Sequence, residues 1–153
     1  ALLYPGVAML EALKNYSVGR GTDAPFEQVG ADWIKGVPLA ELLNGRYIPG
    51  VRVYPTQFRP TASNFAGREV EGVRLVVTDR ESFDSVLFGL ELAAGLQGLF
   101  PGHIDWVACK FLIGNQRVID DLKNGVDPKV IAIRLQQEDL AQFAVRRRAF
   151  LLY

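Results

Sequence analysis

The sequence has 153 residues, with 17 Lys+Arg against 17 Asp+Glu, one His and one Cys. A chain of this length folds as one domain and buries roughly 70% of its unfolded surface, enough to hold together without a metal or disulfide. Zero formal net charge argues against bulk binding to nucleic acid or anionic lipid, and one Cys with one His excludes an intrachain disulfide and an all-protein Cys/His zinc site.

The chain opens on Ala1-Leu2-Leu3-Tyr4-Pro5-Gly6, without Met or a signal-peptide pattern, and so reads as the interior of a longer protein or a trimmed one. Val7–Leu13 predicts a short helix with Pro5 near its first turn. Residues 15–25 hold two glycines, a proline and short polar side chains, and predict a loop. Phe26–Ile34 predicts a short extended segment, and Pro38–Asn44 a helix stopped by Gly45. Val51–Pro55 and Glu71–Thr78 alternate as strands, joined through the turn-forming Thr61–Gly67. Ser85–Leu99 is apolar on most faces and predicts a buried helix, with Asp84 or Ser82 as N-cap and Pro101-Gly102 beyond its end. Helices follow over Gly114–Lys123, Pro128–Leu135 and Gln136–Arg147, and Phe150–Tyr153 is a final strand or docked tail. No apolar stretch is long enough to span a bilayer; Glu91 interrupts the best one. The expected fold is a single compact α+β domain, a small mixed sheet packed with several helices.

Gly19-Arg20-Gly21-Thr22 places a guanidinium between two permissive residues. Backbone amides and Arg20 could converge there on a phosphate or carboxylate, and an ordinary tight turn with a solvated arginine fits as well. Glu11 and Glu27 flank this loop and Asp23 lies in it; paired carboxylates suit glycoside hydrolysis, and equally suit capping or pairing with Arg20. Thr78-Asp79-Arg80 follows a strand, where ligands often bind, although Asp79 also suits capping or pairing with Arg80. His103 reads as a polar surface residue and Cys109 as a small buried hydrophobe. Arg146-Arg147-Arg148 fits a helix C-terminus better than a nucleic-acid patch. Tyr16, Phe26, Trp33 and Phe65 lie near the polar loops and suit sugar stacking, a partner domain or core packing.

Tyr4-Pro5-Gly6, Leu10-Glu11, Asn15, the run Ser17–Ala31, Trp33-Ile34, Phe58-Arg59-Pro60-Thr61, Gly72-Val73, Val77–Arg80, Ile104-Asp105-Trp106 and Phe150–Tyr153 occur in an order that resembles the DUF1343 family, the exo-β-N-acetylmuramidases of the NamZ type. The resemblance covers essentially the whole chain and corresponds to the C-terminal part of a two-domain protein. It departs at Leu10–Asn15, one residue longer than the family's Leu-Glu-Gly-Thr-Asn, and in the cysteine the family carries ahead of Gly72-Val73.

The resemblance implies a cleft-forming domain of a hydrolase that releases terminal N-acetylmuramic acid from peptidoglycan fragments. The catalytic carboxylate is then expected in a Rossmann-like N-terminal domain of the same polypeptide, in an extracytoplasmic location. No cofactor or metal is implied. The implied substrate-binding residues are Ser17, Gly19, Arg20, Gly21, Thr22 and Glu27, with Glu11, Asn15, Asp79 and Arg80 ranked behind them. Within that reading Arg20 takes the lactyl carboxylate, Glu27 orients Arg20, and Ser17 and Thr22 bind sugar hydroxyls. A non-catalytic carbohydrate- or protein-binding module is the alternative, and a structural domain binding no sugar a third reading.

Overall fold

The computed structural model describes residues 1–148 and 150. Its elements are α1 (Tyr4–Val7), extended by a 3-10 turn over Ala8–Leu10, then β1 (Gln28–Ala31), α2 (Gly36–Gly45), β2 (Val51–Phe58) and β3 (Val70–Val77). The long α3 (Ser85–Leu99) is followed by α4 (Trp106–Ile113), α5 (Gln116–Lys123) and α6 (Pro128–Arg134). A π-type turn over Leu135–Leu140 leads into α7 (Ala141–Arg148). Phe150 is exposed, and the expected strand or tail over Phe150–Tyr153 otherwise lies outside the described residues.

The three strands pair in the order β1-β3-β2, every pair antiparallel. The sheet is therefore antiparallel throughout, where a mixed one was expected. The physical reason is the connection: β2 returns to β3 through residues 59–69 without a crossover helix, so the strands run opposite ways. Val51 and Val53 of β2 stand opposite Val77 and Leu75 of β3 on the inner side. They alternate with Arg52, Tyr54, Arg74 and Val76, which face outward. Helix α2 lies against β2 and β3, and α3 packs against α1 and α2. The core therefore sits between one sheet face and the helices, and the other sheet face stays open.

Helix α3 is buried along most of its length, as its all-round apolar sequence requires. Asp84 caps it, accepting from the amides of Val86 and Leu87; Ser82 does not, because its hydroxyl donates to Asp79. Where α1 meets α3, no side chain separates the backbones. A Cβ on Gly6 would lie 2.0 Å from the Ser85 carbonyl oxygen, and one on Gly89 would lie 2.7 Å from Gly6 Cα.

One charged cluster is taken into this packing. Glu91 on α3 is buried, and Arg46 donates to it through Nε at 2.8 Å and Nη2 at 3.0 Å. The same Nη2 reaches Asp127 at 2.7 Å, and Lys129 Nζ donates to the Arg46 carbonyl. Four residues thus tie the end of α2 to α3 and to the start of α6.

Helix α4 was not expected. Asp105 caps it through bonds from Val107 and Ala108, and Gly114 closes it at φ 71°. Trp106, Cys109 and Ile113 face the core, but the equally apolar Val107, Phe111 and Leu112 face solvent. That pattern hides a helix from periodicity.

Candidate functional site

Two loops meet beside β1 and the end of β2, and the sequence explains why they hold together. Residues 11–27 form the first. Ser17 bridges to Gly30 with two backbone bonds, Ser17 N to Gly30 O at 2.8 Å and Gly30 N to Ser17 O at 3.0 Å. The loop then turns outward at Gly19 and Gly21, at φ 76° and 81°. Residues 59–67 form the second. Thr61 donates to the Gly21 carbonyl through both its amide and its Oγ1, each at 2.8 Å. Asn64 Nδ2 donates to the carbonyls of Leu13 and Tyr16, again at 2.8 Å each. Phe26, Ser63 and Phe65 hold positive φ in these loops without being glycine. Such backbone persists only where surrounding bonds over-determine it, and it gathers at binding sites.

The sequence-predicted residues are all placed, with several different jobs. Arg20 pairs through Nε with Glu11, and its guanidinium lies 4.9 Å from the centroid of the Phe26 ring. The Glu11 hydrogen bond holds the guanidinium still more firmly protonated than usual. Glu27 does not orient Arg20. Its carboxylate takes Arg74 Nη2 at 2.9 Å, because β3 places Arg74 directly opposite Gln28. The hydroxyls of Ser17 and Thr22 serve the loop itself. Ser17 Oγ accepts from Gly19 N at 3.2 Å, so that amide is not open to an anion. Thr22 Oγ1 donates to Gly19 O at 2.7 Å and accepts from Ala24 N and Gln28 Nε2. Asn15 Nδ2 donates to the His103 carbonyl, and its own carbonyl accepts from Trp33 Nε1.

Asp79 and Arg80 lie apart, at the end of β3. Asp79 accepts from the Ser82 hydroxyl and the Glu81 amide, which hold its carboxyl below the usual carboxylate range. It caps that turn and not α3. Arg80 borders a separate depression with Tyr4, Phe26, Glu27 and Arg74. The site therefore brings Glu11 through Thr22 together and leaves Asp79 and Arg80 on another rim.

The aromatic residues divide. Tyr16 is fully buried, and burial pushes its phenol well above the usual range; among the described residues its hydroxyl has no partner. Trp33 stacks on the exposed His103, with centroids 4.6 Å apart and planes 8° from parallel. Cys109 is buried, and burial pushes its thiol up to about 11. Among the described residues no group of acidic, His or Cys side chains is arranged to hold a metal ion.

Sequence reasoning passed over three residues here. Arg59 follows β2 and borders, with Gly21, Asp23, Gln28, Phe58 and Thr61, a cavity of about 640 Å³. The buried Gln28 also lines it, and Asn64 staples the two loops. Arg59 was present in the quoted Phe58-Arg59-Pro60-Thr61 run, but no spacing singled it out.

The comparisons with known proteins agree. The profile of the family described as exo-beta-N-acetylmuramidase NamZ, C-terminal, matches residues 2–153. The peptidoglycan beta-N-acetylmuramidase NamZ of Bacillus subtilis (strain 168) is 35% identical over 154 aligned positions, covering 99% of this chain and 37% of that protein. Two solved DUF1343 family proteins from Bacteroides fragilis NCTC 9343 share the fold. One has a TM-score of 0.67 at 22% identity, covering 99% of this chain and 41% of that one. The other has a TM-score of 0.63 at 18% identity, covering 99% and 40%. The chain thus spans under half the length of each relative, and by the profile and the Bacillus relative it belongs to the NamZ C-terminal domain family.

Proposed function

We propose that this chain forms one wall of the substrate cleft of an exo-acting β-N-acetylmuramidase. An N-terminal domain of the same polypeptide supplies the catalytic carboxylate in this reading, and the work is done outside the cytoplasmic membrane, where peptidoglycan lies. The observation that supports it most is the 35% identity across 99% of the chain to a protein named for that activity. The geometry is in keeping. The loops 11–27 and 59–67 present a fixed polar surface, and two of their three carboxylates are engaged by arginines, Glu11 by Arg20 and Glu27 by Arg74, which leaves Asp23. A cleavage site needs two carboxyl groups set about 5 to 10 Å apart across the scissile bond. In this reading the wall binds and orients, and the facing domain does the chemistry. No helix among the described residues is long and apolar enough to cross a membrane.

The experiment is turnover of a chromogenic N-acetylmuramic acid glycoside. A protein carrying both domains should release the chromophore, and the 153-residue chain alone should not. Turnover by the short chain alone would place a catalytic residue within it and overturn the division of labour.

A further inference from the structure

The sheet leaves one stretch of β3 without a neighbour. Strand β1 stops pairing at Gln28, opposite Arg74, while β3 runs on to Val77. The reason is local: Phe26 sits at φ 63°, and the Glu27 amide turns back to the Ala24 carbonyl. The Glu27 carbonyl still reaches over, accepting from Leu75 N at 2.8 Å. In an antiparallel strand, successive residues direct their backbone groups to alternate sides. Leu75 N points to the β1 side, and Thr78 N points to the β2 side, where it donates to Gly50 O at 2.8 Å. The N–H and C=O of Val77 therefore face the β1 side, past the end of β1. Among the described residues they meet no hydrogen-bond partner there.

An open strand edge by itself is common, and water satisfies it. The surroundings of this one are less ordinary. It borders the depression beside Arg80, about 420 Å³ in volume, and Ala1 itself lines that depression. Leu2 and Tyr4 stand in its wall, 42% and 49% exposed. The Tyr4 ring lies 4.6 Å from the Phe26 ring, and the exposed Val76 adds a third apolar group from the strand. Apolar groups, charged neighbours and a free strand edge together make a surface suited to being covered by another stretch of polypeptide.

We infer that this depression seats the stretch of polypeptide that joins the chain to its N-terminal domain, with that stretch lying along β3 and bonding to the backbone of Val77. The inference rests on the two-domain reading for the existence of that stretch. The matching family is described as C-terminal, and this chain covers 37% of the Bacillus relative, so most of such a protein lies ahead of this domain. Its last residue is one peptide bond from Ala1, with Cα atoms about 3.8 Å apart, and Ala1 is already in the depression. A tethered segment meets the edge at a high effective concentration, so a few bonds suffice to hold it, whereas a free partner or a second copy has no such advantage. The seat would also fix where the N-terminal domain starts relative to the sheet.

The test is amide hydrogen exchange at Val77, read in the 153-residue chain and in a protein carrying both domains. In the short chain the Val77 amide should exchange like one in an exposed loop, at every protein concentration. In the two-domain protein it should slow by about tenfold or more, the scale of one added hydrogen bond. Val76→Arg should undo that slowing, and Phe111→Arg, on the exposed face of α4, should leave it in place. Thermal melts of both variants in the short chain exclude unfolding, since exposed positions contribute little to stability. Equal Val77 exchange in the two proteins, or slowing that survives Val76→Arg, would overturn the inference. So would slowing lost in Phe111→Arg, or slowing that grows with the concentration of the short chain alone, the mark of a second copy. The two readings fail separately. Slowed exchange at Val77 in a two-domain protein that releases no N-acetylmuramic acid sinks the muramidase reading alone. Release of the sugar with Val77 exchange unchanged sinks this one alone.

Discussion

Arg46 grips Glu91 with two nitrogens, Nε at 2.8 Å and Nη2 at 3.0 Å, and Glu91 is the most deeply buried charge described in the protein. Taking away the arginine strands that carboxylate inside the helical layer. Arg46→Ala should lower unfolding stability by about 3 kcal/mol, the scale for breaking one side of a buried pair. Glu91→Gln keeps the shape and one of the two Arg46 bonds, leaves Arg46 paired with Asp127, and should cost less. Urea denaturation of both variants checks this, and a loss below about 1 kcal/mol for Arg46→Ala would show that water reaches Glu91.

Acid should weaken the same junction. The Asp127 carboxyl is held below its ordinary value of 3.8, first by the bond from Arg46 and then by the Lys129 amide. Glu71 is held below its ordinary 4.5, first by the Gly36 amide. Both groups favour the charged form when folded. Their contribution is complete above those ordinary values and is lost as pH falls through the lower folded ones. The melting temperature should therefore be level from neutral pH to about 5 and decline below about 4.5. Asp127→Asn preserves the N-cap of α6, since asparagine caps as well as aspartate. Its decline should be shallower than that of the wild type; identical slopes would remove Asp127 from the account.

A single substitution type should act with opposite signs at two glycines. Gly21 sits at φ 81°, and an added Cβ would meet Ala62 N at 2.4 Å. Gly21→Ala should cost about 1 to 3 kcal/mol and shift the amides of both stapled loops. Gly45 ends α2 with nothing within 4 Å of a built Cβ. Gly45→Ala should stabilise by up to about 1 kcal/mol through helix propensity. Differential calorimetry of the pair decides, and a neutral Gly21→Ala would mean that the loop contact yields.

The sequence carried the regular elements better than the site. Helix α3 was legible to the residue because its cap, apolar length and Pro101-Gly102 stop all agree. Strands β2 and β3 were legible from alternation, but β2 runs on to Phe58, past the point where Pro55 suggested an end. Pro55 sits on an edge strand, where a missing amide costs nothing. Helix α4 escaped because apolar residues stand on its outer face as well as its inner one, which blurs the helical period. The Gly19–Thr22 loop was found on its glycines, yet its partners were not. Which carboxylate takes Arg20 depends on the register that sets Arg74 beside Glu27, and Asn64 joins its carbonyl partners across some fifty residues. Pairings over such separations leave no trace in local spacing.

The bonds that Asn64 and Thr61 make across the two loops have a thermodynamic consequence. Conformational freedom that a mobile loop would surrender on meeting a ligand has here already been surrendered in folding. A ligand meeting these loops would find their shape in place, so its selection would be set by fit and not by loop ordering.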